Sequence, residues 1–312
     1  MIRPVYLGAP EYAAGSFVTL DSEIADSALC AQLRHAEHGA NFFPQCGSSI
    51  FELVDTAIQR SLASARLQAQ DIDAVFLVSN MLDAQDNLEP GWLGELNARL
   101  GLSHTVHYQV GMAGCGGFHW AARLAASLIA AGECTRILIV SFDKAGGKLQ
   151  RLYGAGTDFP YVTGDAAAAC ILSSEPDGMD YRLLGKVINR YDGRQILAPS
   201  LDSEMRCISQ LIKATYASAE LKAKDIDVFI TNNYSYAASQ LYCQLASLSY
   251  AIAYTGTIAT HAHCFSSDNL INLHHLAAKG EVGAGARLLL FSTGPFQWGA
   301  CILEKLDNGM GQ

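Results

Sequence analysis

The chain of 312 residues is 50% hydrophobic and only 16% charged, a balance that provides for a large buried core and excludes a disordered or fibrous protein. Its net charge of -9 and pI near 5.4, with no basic stretch, argue against a nucleic-acid surface, which needs clustered Lys or Arg to meet phosphates. No run approaches the roughly 20 apolar residues that span a bilayer, and Met1-Ile2-Arg3-Pro4 opens without the apolar segment of a signal peptide, so a cytoplasmic protein with no membrane or nucleic-acid partner is expected.

In chain order, residues 49–66 place Ile50, Leu53, Val54, Ala57, Ile58 and Leu62 on one face at helical spacing. Strand candidates follow at Val75–Val78, Thr105–Val110 and Ile137–Ser141, with an apolar helix from Ala121 to Ala131 before the last of them. Residues 153–202, rich in glycine, hold a further strand at Ala168–Leu172 and the crossing into a second half. Residues 203–219 are again an amphipathic helix, with Met205, Ile208, Leu211 and Ile212 on one face. Strands are predicted at Val228–Thr231, Tyr250–Ile258 and Leu288–Ser292, and a helix at Leu270–Lys279.

This order repeats because part of the sequence repeats. Residues 63–73 (ASARLQAQDID) and 217–227 (ASAELKAKDID) are identical at eight of eleven positions, and each runs into an apolar strand. A duplicated helix-loop-strand unit implies two similar halves, 1–172 and 173–312, in a layered α/β architecture. No low-complexity linker separates them, so they are expected to pack as one body with the functional site where they meet.

Nine cysteines, an odd number, are scattered with no pair at zinc-ligand spacing, so neither disulfides nor structural zinc are expected. The pairs His35/His38, His104/His107 and His274/His275 lack carboxylate or thiolate partners at matching spacing, and no metal site is expected.

One cysteine stands apart. In Gly111-Met112-Ala113-Gly114-Cys115-Gly116-Gly117 four glycines crowd a strand-to-helix turn around a single thiol. A thiol at a helix N-terminus is stabilised as thiolate by the dipole and free N–H groups, and small neighbours let a thioester approach. The structural alternative is a small buried filler in a tight turn. Gly132-Glu133 closes the helix after Cys115 and Gly280-Glu281 closes a similar helix in the second half; aligned on these ends, His263 stands opposite Cys115. Imidazole is the usual base for a weak nucleophile, and Asp268 can supply the carboxylate that fixes its tautomer, giving Cys115, His263 and Asp268 as candidate catalytic residues. A helix N-cap is the plainer role for Asp268, and His261 is the alternative base.

The turn at 114–118, the lead-in Thr163-Gly164-Asp165-Ala166-Ala167-Ala168-Ala169, the duplicated Asp-Ile-Asp units and the ending Ser292-Thr293-Gly294-Pro295-Phe296-Gln297-Trp298-Gly299-Ala300 together resemble the thiolase superfamily over nearly the whole chain. The similarity is greatest to β-ketoacyl-acyl-carrier-protein synthase III and its acyltransferase relatives. It implies the five-layered αβαβα thiolase fold, usually a homodimer. It also implies acyl transfer from a coenzyme A or acyl-carrier-protein thioester onto Cys115, with no tightly bound cofactor. The Cys115 and Gly294 backbone N–H groups would form the oxyanion hole; Pro295 lacks its own N–H but leaves that of Gly294 available.

The chain departs from the condensing members of that family. Their histidine position appears as Asn232-Asn233 and their asparagine position as Phe265, and phenylalanine cannot donate a hydrogen bond to an enolate. His263 and Asp268 instead match the Cys-His-Asp pattern of the synthase-III-like acyltransferases. The expected function is an acyltransferase of specialised metabolism acting on a hydroxyl, amine or thiol acceptor, small or carrier-bound. Two alternatives stand beside it: a decarboxylative condensing enzyme with Asn232 or Asn233 as enolate or substrate contacts, and a silent partner subunit in a heterodimer.

Overall fold

In this computed structural model, which describes residues 3–83, 91–146, 149–157, 159–193 and 200–307, the layers arise from strands that bury both faces. The described elements are, in order, β1 (Tyr6–Ala14), β2 (Ser16–Thr19), α1 (Ser27–Arg34), β3 (Phe42–Gln45), α2 (Ile50–Ala65), β4 (Ala74–Val78), α3 (Trp92–Leu100), β5 (Val106–Val110), α4 (Gly117–Ala131), β6 (Arg136–Asp143), β7 (Leu152–Tyr153), β8 (Tyr161–Val162) and β9 (Ala166–Ser173). There follow β10 (Tyr181–Tyr191), α5 (Leu201–Ser218), β11 (Val228–Ile230), α6 (Tyr236–Ala246), β12 (Ala253–Tyr254), α7 (Ile258–His261), α8 (Asp268–Lys279), β13 (Arg287–Gly294) and β14 (Gln297–Lys305).

Ten strands hydrogen-bond in the order β12-β11-β13-β14-β10-β1-β9-β6-β4-β5. The order contains the same five-stranded pattern twice. β1 is antiparallel to β9, β9 to β6, and β6, β4 and β5 run parallel. β10, β14, β13, β11 and β12 repeat those relations one for one. The two sets join edge to edge where Tyr6 and Leu7 of β1 pair with Arg182 and Tyr181 of β10.

Period-two alternation then sorts side chains into layers. Phe76, Ile137 and Ile139 from one set and Leu288, Leu290 and Cys301 from the other share a core with Phe118 and Ala121 of α4 and Leu270 and Leu273 of α8. The opposite faces, Val75, Leu77, Leu138 and Val140, pack with Val54, Ile58 and Leu62 of α2. In the second set Leu289, Phe291 and Ile302 pack with Ile208, Leu211 and Ile212 of α5. The result is the expected five-layered αβαβα arrangement, with α4 and α8 buried side by side at its centre.

Three differences from the sequence reading have local causes. The helix after Cys115 begins at Gly117 rather than at Ala121, because Gly117, Phe118 and His119 are themselves buried in its first turn. The predicted strand Tyr250–Ile258 is a 3-10 turn at Tyr250–Ile252, the two-residue edge strand β12 and the start of α7. β1 and β10 were not singled out; register shifts at Gly8/Glu11 and at Leu184/Ile188 break the alternation that marks a strand.

Candidate active site

Cys115 lies in a 3-10 turn, Gly114–Gly116, that runs straight into α4. In the second half the turn Phe265–Ser267 runs into α8 in the same way. The two turns start on the same backbone conformation, Gly114 at φ 51 and Phe265 at φ 53. Matched at these starts, Cys115 stands opposite Ser266, not His263. Alignment on the closing glycines misleads because α4 has 15 residues and α8 has 12. His263 nonetheless reaches the sulfur, from three residues further upstream.

The first half holds His263 in place. Its backbone N–H donates to Val162 O at 3.1 Å and its carbonyl accepts from Gly164 N–H at 2.9 Å. The residue after that clamp, Asp165, is fully buried and accepts from Cys46 N at 2.9 Å, Ala145 N at 2.9 Å and Arg151 Nη2 at 2.8 Å. The Thr163-Gly164-Asp165 lead-in is thus the strap that ties the imidazole's backbone to the cysteine's half.

His263 Nε2 lies 3.1 Å from Cys115 Sγ, and His263 Nδ1 lies 2.5 Å from Asp268 Oδ2. Cys115 is 8% exposed, His263 1% and Asp268 0%. Asp268 opens α8 rather than capping it through its side chain. Its Oδ1 accepts from Cys264 N at 2.7 Å, and its Oδ2 also accepts from Asn233 N at 2.9 Å and Asn232 Nδ2 at 3.3 Å. So many donors fix the carboxylate's orientation and meet the cost of burying it. Burial alone pushes the His263 imidazole down, but the Asp268 carboxylate and the Cys115 sulfur, by charge and hydrogen bond, outweigh it and hold the ring up at about 10.

Asn232 and Asn233 stand behind this relay rather than on its substrate side. The Asn232 side chain spans from Asp268 and Phe265 O to Thr293 N–H, which donates to its Oδ1 at 2.8 Å. Asn233 Nδ2 donates to Thr257 Oγ1 at 2.9 Å and its Oδ1 accepts from Asn272 Nδ2 at 3.0 Å. Both amides are spent on buried partners, which corrects the expectation that they contact an enolate or substrate. His261 likewise faces away. Its Nε2 meets the Tyr12 hydroxyl at 3.1 Å, and burial followed by the neighbouring His275 pushes the ring down to about 4. Of the other histidine pairs, His104 Nε2 lies 3.2 Å from Ile72 O and His275 Nε2 2.8 Å from the Tyr12 hydroxyl.

Gly294 ends β13 against the cysteine turn. A Cβ there would lie 2.7 Å from the Cys115 backbone N, so only glycine permits the two backbones to approach this closely. Pro295 and Phe296 turn the chain into β14, with Phe296 at φ 64. Beside Gly294 and Pro295 a cavity of about 620 Å³ runs between α5 and α6, walled by Tyr161, Tyr234, Tyr242 and Met205 among others. The Tyr234 ring lies 4.2 Å from the His263 ring and its hydroxyl donates to Thr293 O at 2.7 Å. Tyr161 and Asn272 escaped the sequence reading. For Asn272 a signal exists: it follows Asp268 by one helical turn, on the same face, in a helix whose neighbouring positions Leu270, Ile271 and Leu273 are apolar. Phe118, next to the cysteine turn, is core, fully buried between the sheets.

The family model for 3-oxoacyl-[acyl-carrier-protein] synthase III matches residues 111–191, and that for its C-terminal part matches residues 216–305. The chain belongs to this synthase-III-like family of the thiolase superfamily. The β-ketoacyl-[acyl-carrier-protein] synthase III of Rickettsia felis is 23% identical over 271 residues, 79% of this chain and 81% of that protein. Among solved structures, ChlB3, described as an acyltransferase, superposes with a TM-score of 0.84 at 20% identity over 97% of this chain and 98% of that one. The 3-oxoacyl-[acyl-carrier-protein] synthase III of Aquifex aeolicus VF5 gives 0.79 at 16% identity over 96% and 99%. These superpositions define the fold as the thiolase fold.

Proposed function

We propose that the protein is an acyltransferase that carries an acyl group from a coenzyme A or acyl-carrier-protein thioester, through an acyl-Cys115, to a hydroxyl, amine or thiol acceptor. The observation that carries the reading is the relay of Cys115 Sγ, His263 Nε2 at 3.1 Å and Asp268 at 2.5 Å from His263 Nδ1. Cys115 Sγ attacks the thioester carbonyl; the carbon–sulfur bond to the donor breaks, and the departing thiolate takes a proton from His263. The oxyanion is held by the Cys115 N–H and, on the expectation from the family, that of Gly294. Acylation removes the sulfur's charge, one of the influences that hold His263 up, while burial continues to push it down. The ring is then ready to accept the acceptor's proton as the new bond forms and the cysteine thiolate departs. Asp268 keeps the ring's orientation throughout.

A second reading, decarboxylative condensation, is favoured by the relatives of this chain that are β-ketoacyl-[acyl-carrier-protein] synthases III. Against it, Phe265 and the committed Asn232 leave no donor of the expected kind for an enolate. A homodimer is supported by the outer edge of β5, where Val106 is 56% and Tyr108 37% exposed. Among the described residues no helix is long and apolar enough to cross a membrane. The test is product analysis with acyl and malonyl thioesters: transfer of an intact acyl group without carbon dioxide supports the reading, and carbon dioxide release coupled to a new carbon–carbon bond replaces it with the second.

A further inference from the structure

The cavity beside Gly294 and Tyr234 holds one feature that the acyl-transfer cycle leaves unused. Of its described lining residues only Glu204, on the first turn of α5, bears a formal charge. It shares the lining with Met205, Ile208, Leu241 and the tyrosines Tyr161, Tyr234 and Tyr242. Glu204 is only partly exposed and has no ion-pair partner among the described residues. A carboxylate among apolar walls is costly unless it receives a hydrogen bond. Burial pushes its carboxyl up, and a hydrogen bond with the buried Trp298 indole offsets this only in part.

We propose that Glu204 is the specificity residue for the acceptor, and that the acceptor is a small molecule with an apolar body, one hydroxyl presented to His263 and a second hydroxyl donated to Glu204. This rests on the acyl-transfer reading and deepens it. Once the donor thiol has left, the acceptor must approach the acyl-cysteine along a path beside Gly294 and Tyr234, and the cavity lies there. The only formal charge on the described lining is negative, and a carboxylate attracts hydroxyl hydrogens. A site that hydrogen-bonds a hydroxyl rejects the analogue lacking it, since the buried partner is then left unpaired.

The experiment uses the acyl-Cys115 enzyme, freed of thioester, and compares its deacylation by trans-1,4-cyclohexanediol with that by trans-4-methylcyclohexanol, where a methyl replaces the second hydroxyl. The readout is the ratio of second-order rate constants, counted per hydroxyl, in the wild type, Glu204→Gln and Glu204→Leu. The wild type is expected to favour the diol by about tenfold or more; Glu204→Gln, which keeps an acceptor oxygen, retains part of that preference, and Glu204→Leu brings the ratio to about one. A general structural defect slows both alcohols together and leaves the ratio intact. No deacylation by the diol, a wild-type ratio near one, or a preference that survives Glu204→Leu overturns the proposal. Failure of the underlying reading is distinct: the acyl-Cys115 enzyme then either never forms, or forms and is discharged by a malonyl thioester with release of carbon dioxide and a new carbon–carbon bond.

Discussion

The cysteine turn at 114–116 and the turn at 265–267 enter the two central helices on the same backbone path, yet they are held by opposite means. The first is held open by small residues: Gly294 packs against the Cys115 amide with no room for a Cβ. The second is held by polar bonds, with Asp268 gathering His263, Cys264, Asn232 and Asn233. Gly114 takes its left-handed conformation without a side-chain penalty, whereas Phe265 adopts nearly the same φ at a cost of about 1–2 kcal/mol. Duplication supplied one frame; one copy came to offer space for a reacting carbonyl, the other a fixed imidazole.

If that contrast is right, breaking the first turn's chemistry has the largest effect. Cys115→Ala is expected to abolish the acyl adduct and to lower turnover by at least about 10⁴-fold, read by intact mass and product formation. His263→Ala comes next: slow loading persists while turnover falls by about 10²–10⁴-fold, and a variant that turns over at the wild-type rate removes His263 from the mechanism. Asp268→Ala strikes at the bonds that hold the second turn and is expected to cost about 3–5 kcal/mol in urea unfolding as well as activity, because it strands the buried donors and the imidazole. Gly294→Ala sharpens the contrast from the other side. It should slow acylation by about 10²-fold through a displaced oxyanion site, with a smaller loss of stability than Asp268→Ala.

The response to pH probes the second turn without a substitution. His263 is held at about 10 in the folded chain, above the ordinary histidine value near 6.5 in the unfolded chain. The stabilisation is therefore fully present below about pH 6.5 and is lost as pH rises towards 10. Urea midpoints followed from pH 6 to 10 should fall more steeply for the wild type than for His263→Gln; parallel curves would contradict the assignment.

Much of this contrast is legible in the sequence. The glycines around Cys115 and the five-residue spacing from His263 to Asp268 pointed to the chemistry, and helix α2, strand β4 and their copies α5 and β11 followed from periodicity. Long-range geometry was not legible. Nothing local in Asn232-Asn233 says that both amides are consumed by partners 24 to 61 residues away, so they read as free donors near substrate. The unequal lengths of α4 and α8 made an alignment from the helix ends pair the wrong residues, although His263 does meet the sulfur. Glu204 gave no sign either, because only the packing of α5 beside α6 turns an ordinary first-turn glutamate into the one charge on that cavity's described lining.

The most direct test is intact-mass measurement of the wild type and Cys115→Ala after exposure to a panel of coenzyme A and carrier-protein thioesters, followed by addition of an acceptor. The account predicts one acyl group on the wild type, none on Cys115→Ala, and loss of that group to the acceptor only while His263 is present. No adduct on the wild type from any donor, or the same adduct on Cys115→Ala, would contradict it.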